Sequence, residues 1–223
     1  MNNKYDSVLH YNLAFIGGFL GMYCILQRSD FLGSAQTSNM IYLVSNLLGK
    51  DYIDVLLRIG AMLLYILSIA LTVWIPAKTV INVKTLSIII DAAAVGIMGV
   101  MPDEMNPVLG LYPVFFSMAF QWNTFKGARG YVSSSIFSTN NLRQFSIGLT
   151  NFCIRRKNED IDRAKFYGFT LLSFHIGVAI SYVVWKRFFV HSVWFCFMAI
   201  ISAFFINLVN GKVQNLFVIK EAA

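Results

Sequence analysis

The chain has 223 residues, of which 57% are hydrophobic and 13% are charged, and it carries a formal net charge of +7. Soluble domains average roughly 45–50% apolar and 25% charged residues, so a water-soluble fold built from this chain would have more apolar surface than it could hide. The composition excludes a soluble globular protein. It also means that the basic excess must be explained by where the cations sit before it is credited to nucleic acid.

In chain order, the first apolar run covers residues 10–27 after a short polar start carrying Lys4, the pattern of an uncleaved anchor helix. Residues 31–49 follow, apolar enough to be buried but interrupted by Gly, Ser, Thr and Asn. Within them Gly33-Ser34-Ala35 imitates a signal-peptidase site, although the internal repeat described below makes the stretch part of the fold. Three further helices are predicted over residues 54–76, 85–101 and 108–125. A second interrupted stretch covers 131–153, and the last two helices are predicted over 165–185 and 190–210. Each uninterrupted run approaches or reaches the roughly 20 residues that a hydrocarbon layer of about 30 Å requires of a helix.

The basic residues choose among topologies. With six crossings and a cytoplasmic N-terminus, thirteen Lys and Arg fall inside and five outside, the five being Arg28, Lys50, Arg58, Lys186 and Arg187. If the two interrupted stretches also cross, the split falls to about ten against seven and Arg143 is stranded in lipid. Six crossings with both termini inside is therefore the expectation. The richest basic run, Arg155 to Lys165, becomes a cytoplasmic loop and implies no nucleic-acid partner.

A shift of 101 residues aligns Tyr11 with Tyr112, Phe15 with Phe116, Phe19 with Phe120, Ser34 with Ser135, Asn39 with Asn140, Ser45 with Ser146 and Leu48 with Leu149. The reading is a duplication, with one repeat over about 9–102 and another over about 107–211 of a single membrane domain. Three crossings per repeat is odd, so the second repeat would be inverted, as in many secondary transporters. The interrupted stretches fit re-entrant or broken-helix segments. An extended leg from Phe31 to Ser38 reaches about 26 Å, and a helix from Asn39 to Lys50 returns about 18 Å.

Ser38 or Asn39 in the first segment, and Thr139 or Asn140 in the second, then stand where helix N-caps belong. Together with Gln121 they form the candidate substrate site, an arrangement suited to an anionic or carbonyl-bearing solute or to water. The alternative for the same residues is that they only hold helices together.

Asp91, among Ile88–Ile90 and Ala92–Ala94, is the candidate coupling residue, with a structural pairing to a cation such as Arg143 as the alternative. His175 is a second proton-coupling candidate, with a hydrogen-bonded core histidine as its alternative. Gln121, Trp122 and Asn123 point in three directions, and Gln121 is the one expected to face the site. Gly17, Gly18, Gly21, Gly96, Gly99 and Gly177 read as close-approach positions, Asp54 with Arg58 as an i, i+4 ion pair, and Trp74, Trp185 and Trp194 as interfacial anchors. Cys24, Cys153 and Cys196 are odd in number and widely spaced, as packing residues are. No metal, cofactor, phosphate-loop or nucleophile-elbow pattern is present in the sequence, so no catalytic residue, metal ligand or cofactor is assigned.

Phe19 to Met40, and the stretch SMAFQWNTFKGARGYVSSSIFSTNNL from Ser117 to Leu142, resemble the two signature stretches of the YoaK-like family of bacterial inner-membrane proteins of unknown function. The resemblance extends from about residue 12 to 210. It implies a six-helix protein of the bacterial cytoplasmic membrane and supplies no substrate. On that resemblance Asn39 corresponds to the family's Gly-Asn, Gln121 to the glutamine of its Gln-Asn pair, and Asp91 to its usual glutamate. This chain departs from the pattern at Gly21, where the family has aspartate, at Trp122, where it has asparagine, and at Asn140-Asn141, where it has Gly-Thr.

The resulting expectation is an all-α, multi-pass membrane protein of two inverted three-helix repeats, acting as a small-solute transporter or channel-like permease. Its expected partners are the lipid bilayer and a small-molecule or ion substrate, with self-association as a homo-oligomer left open. Two rivals remain: an intramembrane enzyme using Asp91 and His175 as acid and base, and a scaffold without a pathway.

Overall fold

The computed structural model describes residues 4–28 and 36–221, with side chains as far as Gly211. The chain runs through α1 (Lys4–Gln27), α2 (Gln36–Leu48), α3 (Tyr52–Lys78) and α4 (Val83–Met98). A single turn α5 (Pro107–Gly110) then leads into α6 (Tyr112–Thr124). A two-stranded hairpin of β1 (Gly127–Ala128) and β2 (Tyr131–Val132) comes before α7 (Thr139–Arg155) and α8 (Asn158–Phe188). After a 3-10 stretch, Phe189–Phe195, the last helix is α9 (Cys196–Glu221).

The fold class is all-α, and every helix expected from the apolar runs is found. Length divides them. Helices α1 and α3, and the stretch Asn158–Gly211 that carries α8 and most of α9, are long and apolar enough to cross a membrane. The 16 residues of α4 rise only about 24 Å and the 13 of α6 about 20 Å, less than the hydrocarbon thickness of about 30 Å.

Short polar residues set several helix starts. Asp51 accepts the backbone N–H of Asp54 ahead of α3, and Asn82 accepts those of Lys84 and Thr85 ahead of α4. Asn106 accepts those of Val108 and Leu109, with Pro107 at the first helical position of α5. The hairpin turns through Arg129 and Gly130, both left-handed at φ 57° and 78°, the backbone that a tight two-residue turn requires.

The two broken stretches differ from expectation where their helices begin. Residues 29–35, which include most of the expected extended leg and Ser34 of the repeat, lie outside the described residues. Helix α2 already starts at Gln36, so Ser38 and Asn39 sit inside its first turn instead of capping it. In the second stretch Ser138 is the N-cap residue of α7 and makes no side-chain cap bond, which places Thr139 and Asn140 within the helix. Upstream of the helix, Ser134 Oγ accepts the N–H groups of Ile136 and Phe137 at 3.2 and 3.1 Å, a serine turn within the non-helical run.

Packing places α1 in the centre. It lies against α8 and α9, while α6 lies against α3 and α4; α2 packs on α3, and α7 on α8. The α1–α8 contact depends on glycine from both sides. A Cβ on Gly18 would overlap the carbonyl oxygen of Phe174, and one on Gly177 would overlap that of Phe15. The outer surface carries Ile41, Leu48, Ile53, Leu56, Phe169 and Met198, all exposed, as a lipid-facing surface does.

Candidate functional site

The non-helical run Ser133–Ser138 is wedged between α1 and α6. A Cβ on Gly17 would overlap the Ser135 carbonyl oxygen, so glycine there lets the serine backbone lie directly on α1. From α6, Gln121 Nε2 donates to Ser135 Oγ at 2.8 Å and to the Leu13 carbonyl at 3.4 Å. From α7, Asn141 Nδ2 donates to the carbonyls of Ser134 at 2.6 Å and Phe137 at 3.1 Å. Ser133 Oγ donates to Asn141 Oδ1 at 2.9 Å and lies 2.9 Å from His10 Nε2.

These contacts fix proton positions. Both hydrogens of the Asn141 amide are directed at carbonyls, so its oxygen must face Ser133. A hydroxyl has one proton, and that of Ser133 goes to Asn141; His10 Nε2 is therefore the donor to Ser133 Oγ. Neutral His10 then carries its hydrogen on Nε2 and presents a bare acceptor at Nδ1. That nitrogen is buried and has no protein partner, on a side chain that is 2% exposed. The ring stacks on Phe166 of α8 at 5.4 Å and 19°, which holds its plane.

His10 also forms part of the wall of a cavity of about 240 Å³ at the N-terminal end of α1. Its other polar walls come from Asp6, Lys84, Thr124 and Lys126. Thr124 Oγ1 is a second buried polar atom without a partner, while Asp6 accepts from Asn210 Nδ2 at 2.7 Å. The cavity thus meets the serine segment through one imidazole.

The chain matches, over residues 9–206, the family described as Protein of unknown function (DUF1275). It belongs to that family. Membership agrees with the YoaK-like resemblance of the two signature stretches and brings no activity with it. No curated protein and no solved structure matches the chain.

Of the expected site residues, Gln121 is fully buried at the serine segment, while Trp122 is 37% exposed and Asn123 bonds Thr72 on α3. Asn39 is buried but faces α3. Its Nδ2 donates to the Arg58 carbonyl at 3.1 Å and to Gln36 Oε1 at 3.2 Å. Asn140 is not in the interior: its Oδ1 accepts from Arg143 at the surface, and the buried asparagine of α7 is Asn141. The register explains this. Along α2 and α7 the burial pattern agrees at a shift of 102, which pairs Asn39 with Asn141 and Thr37 with Thr139, one residue off the ungapped alignment. Ser38 is half-buried and Thr139 exposed. Among the described residues Asn39 bonds within α2 and to α3, whereas Gln121 and Asn141 both bond the serine segment.

Asp91 is 1% exposed, and neither carboxylate oxygen has a partner. The alternative pairing with Arg143 is overturned, because Arg143 is exposed on α7 and engaged with Asn140. Cys196 of α9 lies within electrostatic reach of the Asp91 carboxylate. His175 is exposed, its Nδ1 within 2.7 Å of the Leu171 carbonyl. Two residues along a helix turn about 200°, so His175 points away from the face on which Gly177 meets α1.

Sequence reasoning missed His10, Ser133, Ser135 and Asn141. The consecutive serines 133–135 were the available signal, since three small hydroxyls in an apolar chain offer the backbone local partners.

Proposed function

We propose that this protein is a small-solute transporter or channel-like permease of the bacterial cytoplasmic membrane. In this reading it crosses six times with both termini inside and is built of two inverted repeats. Its path begins at the cavity beside His10 and follows the hydroxyl-lined run Ser133–Ser135.

The observation that carries the reading is a cavity walled in part by His10 and Thr124, two residues that also hold buried polar atoms without partners, His10 Nδ1 and Thr124 Oγ1, with Gln121 Oε1 a third such atom at the serine segment. Each such buried atom costs about 1–3 kcal/mol relative to a satisfied one. In this reading, water or a solute drawn in from the cavity supplies the missing partners.

Internal symmetry supports the repeat. Of the buried positions of α1, all but Gly21 and Tyr23 have a buried counterpart 101 residues on. The Phe15–Phe19 rings meet at 6.3 Å and 32°, and Phe116–Phe120 at 6.4 Å and 32°. The packing is exchanged in the same sense, α1 on α8 and α9, α6 on α3 and α4. Short α4 and α6 fit a bilayer thinned around a compact bundle.

A scaffold without a pathway is the second reading, favoured by Asn39 and Asn141, whose amide hydrogens go to neighbouring side-chain or backbone oxygens. The enzyme reading gains no support from an exposed His175 and a buried Asp91. Uptake of a panel of radiolabelled small metabolites into proteoliposomes separates transport from scaffold. The transport reading expects accumulation of at least one solute that is lost in His10→Phe and Asn141→Ala. A protein that folds, inserts and moves nothing in the panel speaks for the scaffold, whereas uptake that is equal in both variants keeps transport and removes the path beside His10 and Asn141.

A further inference from the structure

We infer that Arg28 and Arg129, which the 101-residue shift pairs, are reciprocal gates: Arg28 seals the outer end of the path in this structure, and Arg129 seals the inner end in the opposite state. The inference rests on the transport reading, with the N-terminus inside, and adds to it the side chains that open and close the path.

The two ends of the α1 and α6 pair are built alike and filled differently. At the inner end, Leu9 of α1 and Thr124 and Phe125 at the end of α6 help to wall the cavity of about 240 Å³. Their mates at the same shift are Gly110, Tyr23 and Cys24, which belong to the outer end. There the Arg28 side chain takes the space: a Cβ on Gly110 would overlap its Nε, and the residue is 2% exposed. Cys24 stands one turn before Arg28 on the same helical face and is buried as well. At the inner end Arg129 is exposed on the hairpin turn, two residues past Gly127 of the cavity wall, with Asp162 4.0 Å away. One arginine of the pair is therefore packed into its end of the bundle, and the other stands outside an open one.

The outer seal is a chain of hydrogen bonds. Arg28 Nη1 donates to the carbonyls of Pro102 at 3.1 Å and Asp103 at 3.3 Å, in the loop between α4 and α5. Gln27 Nε2 donates to Asp103 Oδ1 at 2.7 Å, and Gln27 Oε1 accepts from Trp185 Nε1 of α8 at 2.7 Å. Tyr23 donates its hydroxyl proton to the Val190 carbonyl at 3.0 Å. Among the described residues no salt bridge includes Arg28. Taking a guanidinium out of water is costly, and neutral carbonyls offset that cost less completely than a carboxylate does. Release into water thus recovers more for Arg28 than for an ion-paired arginine. Arg129 gives up little on moving inward, because an exposed pair at 4.0 Å contributes little.

The test is labelling with a membrane-impermeant maleimide in sealed vesicles of known orientation, which needs no substrate. In protein with Cys153→Ser and Cys196→Ser, Cys24 reports on the outer end. In protein with all three cysteines replaced by serine, Lys84→Cys reports on the inner cavity, whose wall Lys84 joins. Arg28→Met removes the outer seal, and Gly110→Ala displaces it without deleting any hydrogen-bonding group. In either variant Cys24 should react from the outer face about tenfold or more faster than in the parent, the scale of one hydrogen bond to a charged group. Reaction at position 84 from the inner face should fall by a similar factor. Adding Arg129→Met to either variant should restore reaction at position 84, because neither end then keeps its seal.

Faster reaction at both positions in the single variants means local loosening and overturns the inference. So does a Cys24 that stays unreactive in both, or protection at position 84 that survives Arg129→Met. Reciprocal labelling in a protein that takes up nothing from the metabolite panel retains the gates and removes the transport reading; uptake without reciprocal labelling does the reverse.

Discussion

His10 and Asn141, 131 positions apart in the sequence, meet on a single hydroxyl: Ser133 Oγ lies 2.9 Å from the imidazole nitrogen and 2.9 Å from the carboxamide oxygen. The relationship joins α1 to α7 through a segment that is not helical. It gives Ser133 one acceptor and one donor partner, and so sets the direction of both hydrogen bonds.

Asn141→Ala removes hydrogen bonds to Ser133 Oγ and to the carbonyls of Ser134 and Phe137, and leaves buried acceptors unsatisfied. We expect a loss of about 2–3 kcal/mol, read as reduced thermal stability in detergent. Asn140→Ala, at the surface, should change stability by less than about 0.5 kcal/mol. A larger effect at Asn140 than at Asn141 would restore the ungapped register.

Gly17→Ala puts a methyl group onto the Ser135 carbonyl, a backbone atom that cannot swing aside. The serine segment has to move away from α1 at a cost of about 1–3 kcal/mol. The variant should lose uptake at temperatures where circular dichroism shows it still folded. Unchanged stability would mean that the segment does not rest on α1.

Arg58 is buried, its Nε 2.7 Å from Asp54 Oδ2 and its guanidinium over the Tyr42 ring at 4.7 Å. The pair seats α2 on α3, with Asn46 also on the Asp54 carboxylate. Arg58→Ala leaves Asp54 without its cation and should cost about 3 kcal/mol or more, whereas the double variant with Asp54→Ala should cost less than the sum of the two single changes. A double-mutant cycle with no coupling would contradict the pairing.

Asp91→Asn keeps the shape of a side chain that has no hydrogen-bond partner to lose. The fold should survive with stability within about 1 kcal/mol. If Asp91 carries the coupling proton, accumulation driven by a pH gradient should fall by tenfold or more while solute exchange at equilibrium persists. Equal accumulation in both proteins would reduce Asp91 to a packing residue.

The sequence revealed the positions of six long apolar runs, both interruptions and the Asp54–Arg58 pair, because these depend on local composition and spacing. Burial of Gln121 was legible for the same reason, since on α6 its neighbours Trp122 and Asn123 turn away from it. The site was less legible. The burial pattern of α7 lies one residue off the ungapped alignment with α2, so the buried asparagine is Asn141 and not Asn140; side-chain direction on a helix changes by about 100° with each residue. His10 was read as the first residue of an apolar run, and its role arises only because a segment more than 120 residues later returns to it. His175 is exposed because Gly177, already read as a close-approach position, sets the face of α8 that meets α1, and two residues along a helix turn about 200°.

The account depends most on two broken segments that enter from opposite faces of the membrane. In protein with Cys24, Cys153 and Cys196 replaced by serine, single cysteines at Lys50, Asp103 and Lys157 are to be labelled with a membrane-impermeant maleimide in sealed vesicles of known orientation. The account predicts that positions 50 and 103 react from the outer face only and position 157 from the inner face only. Labelling of 50 and 157 from one face, or of 50 and 103 from different faces, would contradict it.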